Sequence, residues 1–339
     1  MERLDRAKEM ADKWLNEEGV SNFPALSVAY RLAFYNLIAS DDPNPKSFEL
    51  LSNRLRHLAD KEKAFSDPEN PFPTTGIEIE VPRKVVPNSD FPPYAEFFDK
   101  IGMPRNGTNP NSGKEVLGFC WEFSPNPSYY AGTQSRIIAE LIKGGFLPSL
   151  RLSQYPRDIL EYLDSSLVSL HVNLGGIVNR EQMQPNYANY DFFSKVFAFA
   201  FTSPLRLEHR KSANYLSIKE GEETLKSIAL NLGSVGRLEV KALEVRTEST
   251  YRLLGEIQLL AGAFFAFLYD KDDFLSQRWQ EVQKEAKPLI DTVIEDIYNS
   301  SGIATNSTVT KRLAQTTISQ ELRSLITAHA REIAKRCGV

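Results

Sequence analysis

The residues best suited to chemistry are carboxylates that recur on strand-like runs. In Gly76-Ile77-Glu78-Ile79-Glu80-Val81 the side chains alternate, so Ile77, Ile79 and Val81 share one face and Glu78 and Glu80 the other. Neighbouring carboxylates repel and raise each other's pKa unless cations sit between them. The same alternation also describes an ordinary amphipathic strand with a solvated acidic face. A second apolar run, Val116-Leu117-Gly118-Phe119-Cys120-Trp121-Glu122-Phe123, sets Glu122 between two aromatics and just before Ser124-Pro125. A carboxylate there is costly unless it is paired, bound to metal or escapes to solvent at the strand end.

Three further segments add donors of other kinds. His171-Val172-Asn173-Leu174 places an imidazole and an amide on one face of a strand. In Arg237-Leu238-Glu239-Val240-Lys241-Ala242-Leu243-Glu244-Val245-Arg246 the apolar residues hold even positions up to Ala242 and odd ones after it. A β-bulge near Ala242 accounts for the slip and returns Glu244 and Arg246 to the face of Glu239 and Lys241. Glu244 then suits a cation and Arg246 a phosphate, although four charges on one face also make a plain ion-pair ladder. Arg206, Arg210 and Lys211 are clustered and could neutralise a transferring phosphate, or sit on a surface loop.

The elements that must position these residues follow from periodicity and breakers. Leu4, Ala7, Met10, Ala11 and Trp14 recur at helical spacing, and similar stripes cover 25–39 and 47–60. Three prolines in 66–73 then end the helical arm. From 75 to 270 short apolar or alternating runs predict strands at 76–82, 116–123, 167–174 and 237–247. Helices are expected near 133–143, 156–163, 190–200 and 249–269, and residues 271–339 read as a helical tail. The layout is thus an arm over 1–70, a mixed core over 75–270 and a tail over 271–339.

Bulk properties fit an ordinary globular chain: 339 residues, 42% hydrophobic and 25% charged. A net charge of -4 and the absence of a basic patch argue against nucleic acid and anionic lipid as partners. No apolar run reaches the length of a spanning helix, and the charged start lacks a signal-peptide pattern. Cys120 and Cys337 lack metal-ligand spacing, and with only four histidines a multi-histidine centre is not expected. A reducing, cytoplasmic setting is the expectation.

Taken in chain order, the Gly76–Glu80 run, Glu122 with Ser124-Pro125, His171-Val172-Asn173, the Arg206/Arg210 segment and Glu244-Val245-Arg246 resemble the carboxylate-amine ligases of the glutamine synthetase fold, in particular the glutamate-cysteine ligase and amidoligase branches. The likeness covers about 75–266. It implies an α+β fold in which a curved antiparallel sheet forms a funnel flanked by helices, with ATP and two or three Mg²⁺ or Mn²⁺ ions bound in it. It further implies that Glu80 and Glu122 hold one ion, that Glu78, His171 and Glu244 hold another, and that Arg246 with Arg206 or Arg210 contacts the transferred phosphoryl group. Asn173 and His171 would lie at the nucleotide, with Lys241 a further candidate there. Hard oxygen donors with one imidazole suit Mg²⁺ or Mn²⁺. The implied reaction phosphorylates a carboxylate to an acyl phosphate, which an amine displaces to leave an amide. Water must then be excluded, and 102–114 is the candidate closing loop. A kinase on the same fold, and a scaffold that kept the fold without turnover, are the alternatives. The substrates would be a small or peptidic acid and an amine, and the helical ends could support a homo-oligomer.

Overall fold

The computed structural model describes residues 2–40, 44–70, 72–82, 91–103, 120–146, 169–175, 187–201, 228–231, 237–244, 248–299 and 317–339. The chain divides into two units. The first takes Met1–Asn70, Thr74–Leu152 and Arg246–Gly255, and the second Pro71–Pro73, Ser153–Val245 and Glu256–Val339.

In the first unit the helices are α1 (Glu2–Glu17), α2 (Pro24–Ala39), α3 (Pro45–Phe65), α4 (Phe91–Ile101) and α5 (Ala131–Lys143), and the strands are β1 (Thr74–Pro82) and β2 (Cys120–Phe123). Leu4, Ala7, Ala11 and Leu15 form the buried stripe of α1, and its two alanines let α1 approach α2 closely. Pro24 stands in the first turn of α2, where its missing N–H costs nothing. Beyond it Leu26, Tyr30, Ala33, Phe34 and Leu37 are buried around the helix, as befits a central core element. Asn44 caps α3 by accepting from the Ser47 amide at 2.9 Å. The buried stripe of α3 runs Leu51, Leu55, Leu58, Ala59, Glu62 and Phe65. Arg31 of α2 ties in α1 and α4: its Nη2 donates to Asp12 Oδ1 at 2.6 Å and its Nη1 to the Ile101 carbonyl at 3.2 Å. Gly102 ends α4 at φ +78°, and a Cβ there would stand 2.8 Å from that guanidinium.

In the second unit the described strands are β3 (Ser169–Gly175), β4 (Ile228–Asn231) and β5 (Arg237–Glu244). β5 lies between β3 and β4, antiparallel to both. The helices are α6 (Tyr187–Phe201), α7 (Glu248–Tyr269), α8 (Asp273–Asn299) and α9 (Thr317–Cys337). Their core is aromatic: Phe193 stacks on Phe264 at 4.6 Å, and the fully buried Trp279 packs on Phe264 at 5.0 Å. Asp272 starts α8 by accepting from the Leu275 amide at 2.7 Å. Among the described residues no single helix is long and apolar enough to cross a membrane.

This architecture corrects the expected fold class. Helix accounts for 75% of the described residues, and they form no curved sheet funnel of glutamine synthetase type. β1 and β2 share only four register pairs, Ile79 to Pro82 with Phe123 to Cys120. Pro125 and Pro127 follow immediately and have no N–H to extend such a ladder. β2 therefore stops at four residues, and helix, not sheet, makes up most of the described fold. The expected helix 156–163 and most of the 102–114 loop lie outside the described residues.

Phe72 supplies a direct test of packing in the second unit, where it lies on Gly262 of α7. A Cβ at 262 would stand 2.2 Å from the Phe72 ring. Gly262→Ala should therefore cost about 1–2 kcal/mol in a urea melt, overpacking outweighing the gain in helix propensity. In a Phe72→Ala background the same change should become neutral or stabilising by up to about 1 kcal/mol.

Candidate functional site

Strand register decides which of the acidic positions meet. In the first unit Glu80 lies directly opposite Glu122 on the β1–β2 ladder. Opposite residues of an antiparallel pair share a face, at Cβ separations of about 4.5–5.5 Å. Two carboxylates in that register destabilise the pair unless something positive sits between them. Glu78 is one step further along the same face and is buried at 8% exposure, as are Ile77 and Ile79 around it. A strand with a solvated acidic face therefore does not describe Glu78.

In the second unit the β3–β5 ladder pairs Ser169 with Glu244 and Leu170 with Leu243, then Val172 with Val240 and Asn173 with Glu239. Between these stretches His171 alone stands against Lys241 and Ala242, so β5 carries the extra residue of a bulge. The consequence is geometric. Ser169 and Asn173 are four apart on β3 and share a face, so their partners Glu244 and Glu239 share one too, despite a spacing of five. The phase slip near Ala242 in the sequence is this bulge. His171 is buried at 7% exposure, and Asn173 is half-buried.

The predicted residues thus fall into separate groups. Glu78, Glu80 and Glu122 belong to the first unit, and His171, Asn173, Lys241 and Glu244 to the second. Arg206, Arg210 and Arg246 lie outside the described residues. Among the described residues no group of three or more His, Cys, Asp or Glu is arranged to hold a metal ion. Carboxylate oxygens are the donor type a divalent cation takes, and the two positions Glu80 and Glu122 are fewer than the six or more ligands such an ion needs.

The segment that leaves β2 towards α5 is fastened by polar groups. Thr75 and Ser128 exchange both backbone hydrogen bonds, at 2.8 and 2.9 Å. Gln134 of α5 donates from Nε2 to the carbonyls of Asn126, at 2.7 Å, and Thr75, at 3.2 Å. Glu62 of α3, 1% exposed, accepts the Tyr129 amide at 3.0 Å. α5 has no side-chain cap of its own at Tyr130, so Glu62 serves that end from another helix. Burial lifts the Glu62 carboxyl from 4.5 to about 7, against the opposing pull of the Thr133 hydroxyl and the Tyr129 and Tyr130 amides. The Tyr130 phenol is also pushed up, by burial and then by Glu62. Glu62 and Gln134 were not among the residues expected from sequence. Glu62 had one legible sign, since it interrupts the apolar stripe of α3 three residues before Phe65 and four after Leu58.

No protein-family model matches the chain, and no curated protein or solved structure is significantly similar to it.

The opposed pair makes a measurable difference with and without cation. In EDTA, Glu80→Gln should stabilise the chain by about 0.2–1 kcal/mol by removing like-charge opposition. Millimolar Mg²⁺ should raise the melting temperature of the native chain and leave that of the variant unchanged. An equal response from both would rule out cation binding at the pair.

Proposed function

We propose that the chain is an ATP-dependent ligase that joins a carboxylate to an amine, with Glu80 and Glu122 holding a divalent cation. The observation that carries this reading is the register of Glu80 against Glu122, a juxtaposition that weakens the strand pair and is relieved by a bound cation. The bulged β5 strand adds support, because it gathers the Glu239 and Glu244 positions on one face beside the buried His171. The reading rests on these acids and not on a sheet funnel. In the first unit Glu78 is a proposed further cation contact, and in the second His171, Asn173, Lys241 and Glu244 are proposed cation and nucleotide contacts. Arg206, Arg210 and Arg246 are proposed to stabilise the transferred phosphoryl group.

When bound, Mg²⁺ or Mn²⁺ would neutralise charge building up on the phosphates of ATP. The chain's own acids would fix the ion's place, and its arginines would offset the same charge. A carboxylate is a poor electrophile until one oxygen is turned into a leaving group, and that is the role ATP plays in this reaction.

Incubating the full chain with ATP, Mg²⁺, a panel of acids and a panel of amines should release ADP and phosphate only when both partners are present. Glu80→Gln should lower that turnover at least about a hundredfold, the loss expected when charge stabilisation worth several kcal/mol is removed. ADP release with accumulation of a phosphorylated acid, and no amine consumed, would indicate a kinase. A chain that binds no ATP at all would end the proposal.

A further inference from the structure

We propose that Glu62 is a proton-operated latch on the segment joining β2 to α5: protonated, it stays buried and the segment is held shut, and on losing its proton it is driven towards water and the segment loosens. The inference stands whether or not the chain is a ligase.

The Glu62 carboxyl is 1% exposed, yet no Lys, Arg or His among the described residues forms an ion pair with it. The other deeply buried carboxylate of α3 and α5, Glu140, is answered by Arg136 and by the Asn36 amide, whose Nδ2 donates at 2.7 Å. Glu62 takes one hydrogen bond, from the neutral Tyr129 amide at 3.0 Å, and the groups next to it, the Tyr130 amide and the Thr133 hydroxyl, are neutral as well. Its second oxygen, Oε1, is buried and accepts nothing among the described residues. An ionised carboxyl in that position lacks the full set of partners that burial demands. A protonated one is far less costly there.

The groups around it do not take over its titration. Tyr130, from the segment itself, stays protonated, since burial and Glu62 both push its phenol up. Arg136 of α5 is engaged by Glu140. From α2 the Tyr30 phenol is pushed up by burial first and then by Glu18, so it stays protonated as well. On α3 itself Asp60, Lys61 and Lys63 flank Glu62 in sequence, and Lys63 donates to the Glu18 carbonyl at 2.7 Å.

The sign follows by linkage. In the shut form the carboxyl holds its proton up to about pH 7, whereas in an opened, solvated form it titrates at the ordinary 4.5. Between these values the opened form has lost its proton and the shut form has not, so rising pH favours opening. Below about 4.5 both are protonated and above about 7 both are ionised, so the effect is confined to that window. What opens is the fastening of Asn126–Tyr130 through Glu62, Thr75 and Gln134, four residues beyond Glu122 in the chain.

Native-state hydrogen exchange on the full chain tests this at the amides of Ser128, Tyr129 and Thr133. After correction for intrinsic exchange, their protection should fall by up to about a hundredfold from pH 5 to pH 8, the range set by the separation of the two titrations. Ala29 and Ala33 in α2 should keep theirs, and Glu62→Gln should make the three amides insensitive to pH. Constant protection in the native chain, an undiminished fall in Glu62→Gln, or a parallel fall in α2 would each overturn the latch. If Glu62→Gln does not fold, the ¹³C-carboxyl shift of Glu62 in the native chain decides: a midpoint above about 6 supports the latch, and one at or below about 5 overturns it.

Discussion

One exchange of backbone hydrogen bonds, between Thr75 and Ser128, fastens the segment joining β2 to α5 against the start of β1. It sits where β1 begins and where the chain has just left β2 through Pro125 and Pro127. The four residues of β2 lie along β1 in the register that sets Glu80 against Glu122, and the bridge, one residue out of that register, fastens the chain beyond β2. The same Thr75 carbonyl receives Gln134 from the first turn of α5, so strand and helix are fixed by a single acceptor. Buried backbone groups must find partners, and here the prolines leave so few N–H groups that side chains from α3 and α5 complete the set.

Two buried glutamates in this unit show how differently the same side chain can be used. Glu140 joins α2 to α5 with a cation and an amide, an arrangement in which either partner's removal leaves charge stranded. Glu62 has the Tyr129 amide and no cation among the described residues, and desolvation outweighs what its neutral surroundings offer, which is why its carboxyl rises to about 7. A hydrophobic residue of similar size would fill the α3 stripe without that penalty but would leave the Tyr129 amide unanswered at the uncapped end of α5. The position is a compromise between filling a core and ending a helix.

Much of the local structure was legible from periodicity. The stripes of α1, α2 and α3, the alternation of β1, and the phase slip that became the bulge at Lys241 and Ala242 all express side-chain geometry, which lies in the sequence itself. α4 was hidden because Phe91-Pro92-Pro93 reads as a breaker, although prolines in a first turn lose no hydrogen bond. β4, four residues long, is too short to show a period. The fold class failed for a different reason. Alternation tells which face a residue occupies but not which strand lies beside it, and neighbours are set by contacts between distant segments. Reading a funnel from strand motifs assumed those neighbours. The Glu62 contact with Tyr129 is of the same kind, joining residues 67 apart.

The acidic positions are best judged against what stability alone would select. A ladder of four pairs has little to spare, and Ile79–Phe123 and Val81–Trp121 flank the acidic pair in its register. Setting two acids opposite each other between those pairs subtracts from it, and a Thr or Lys at either position would serve the ribbon better. On β5 the bulge likewise gives up ladder hydrogen bonds, and what it gains is that Glu239 and Glu244 come to one face. In each unit, therefore, a local loss of strand stability coincides with a gathering of acidic positions. The cation binding proposed for the chain rests on these two departures, which lead to the same kind of donor, and not on a sheet funnel.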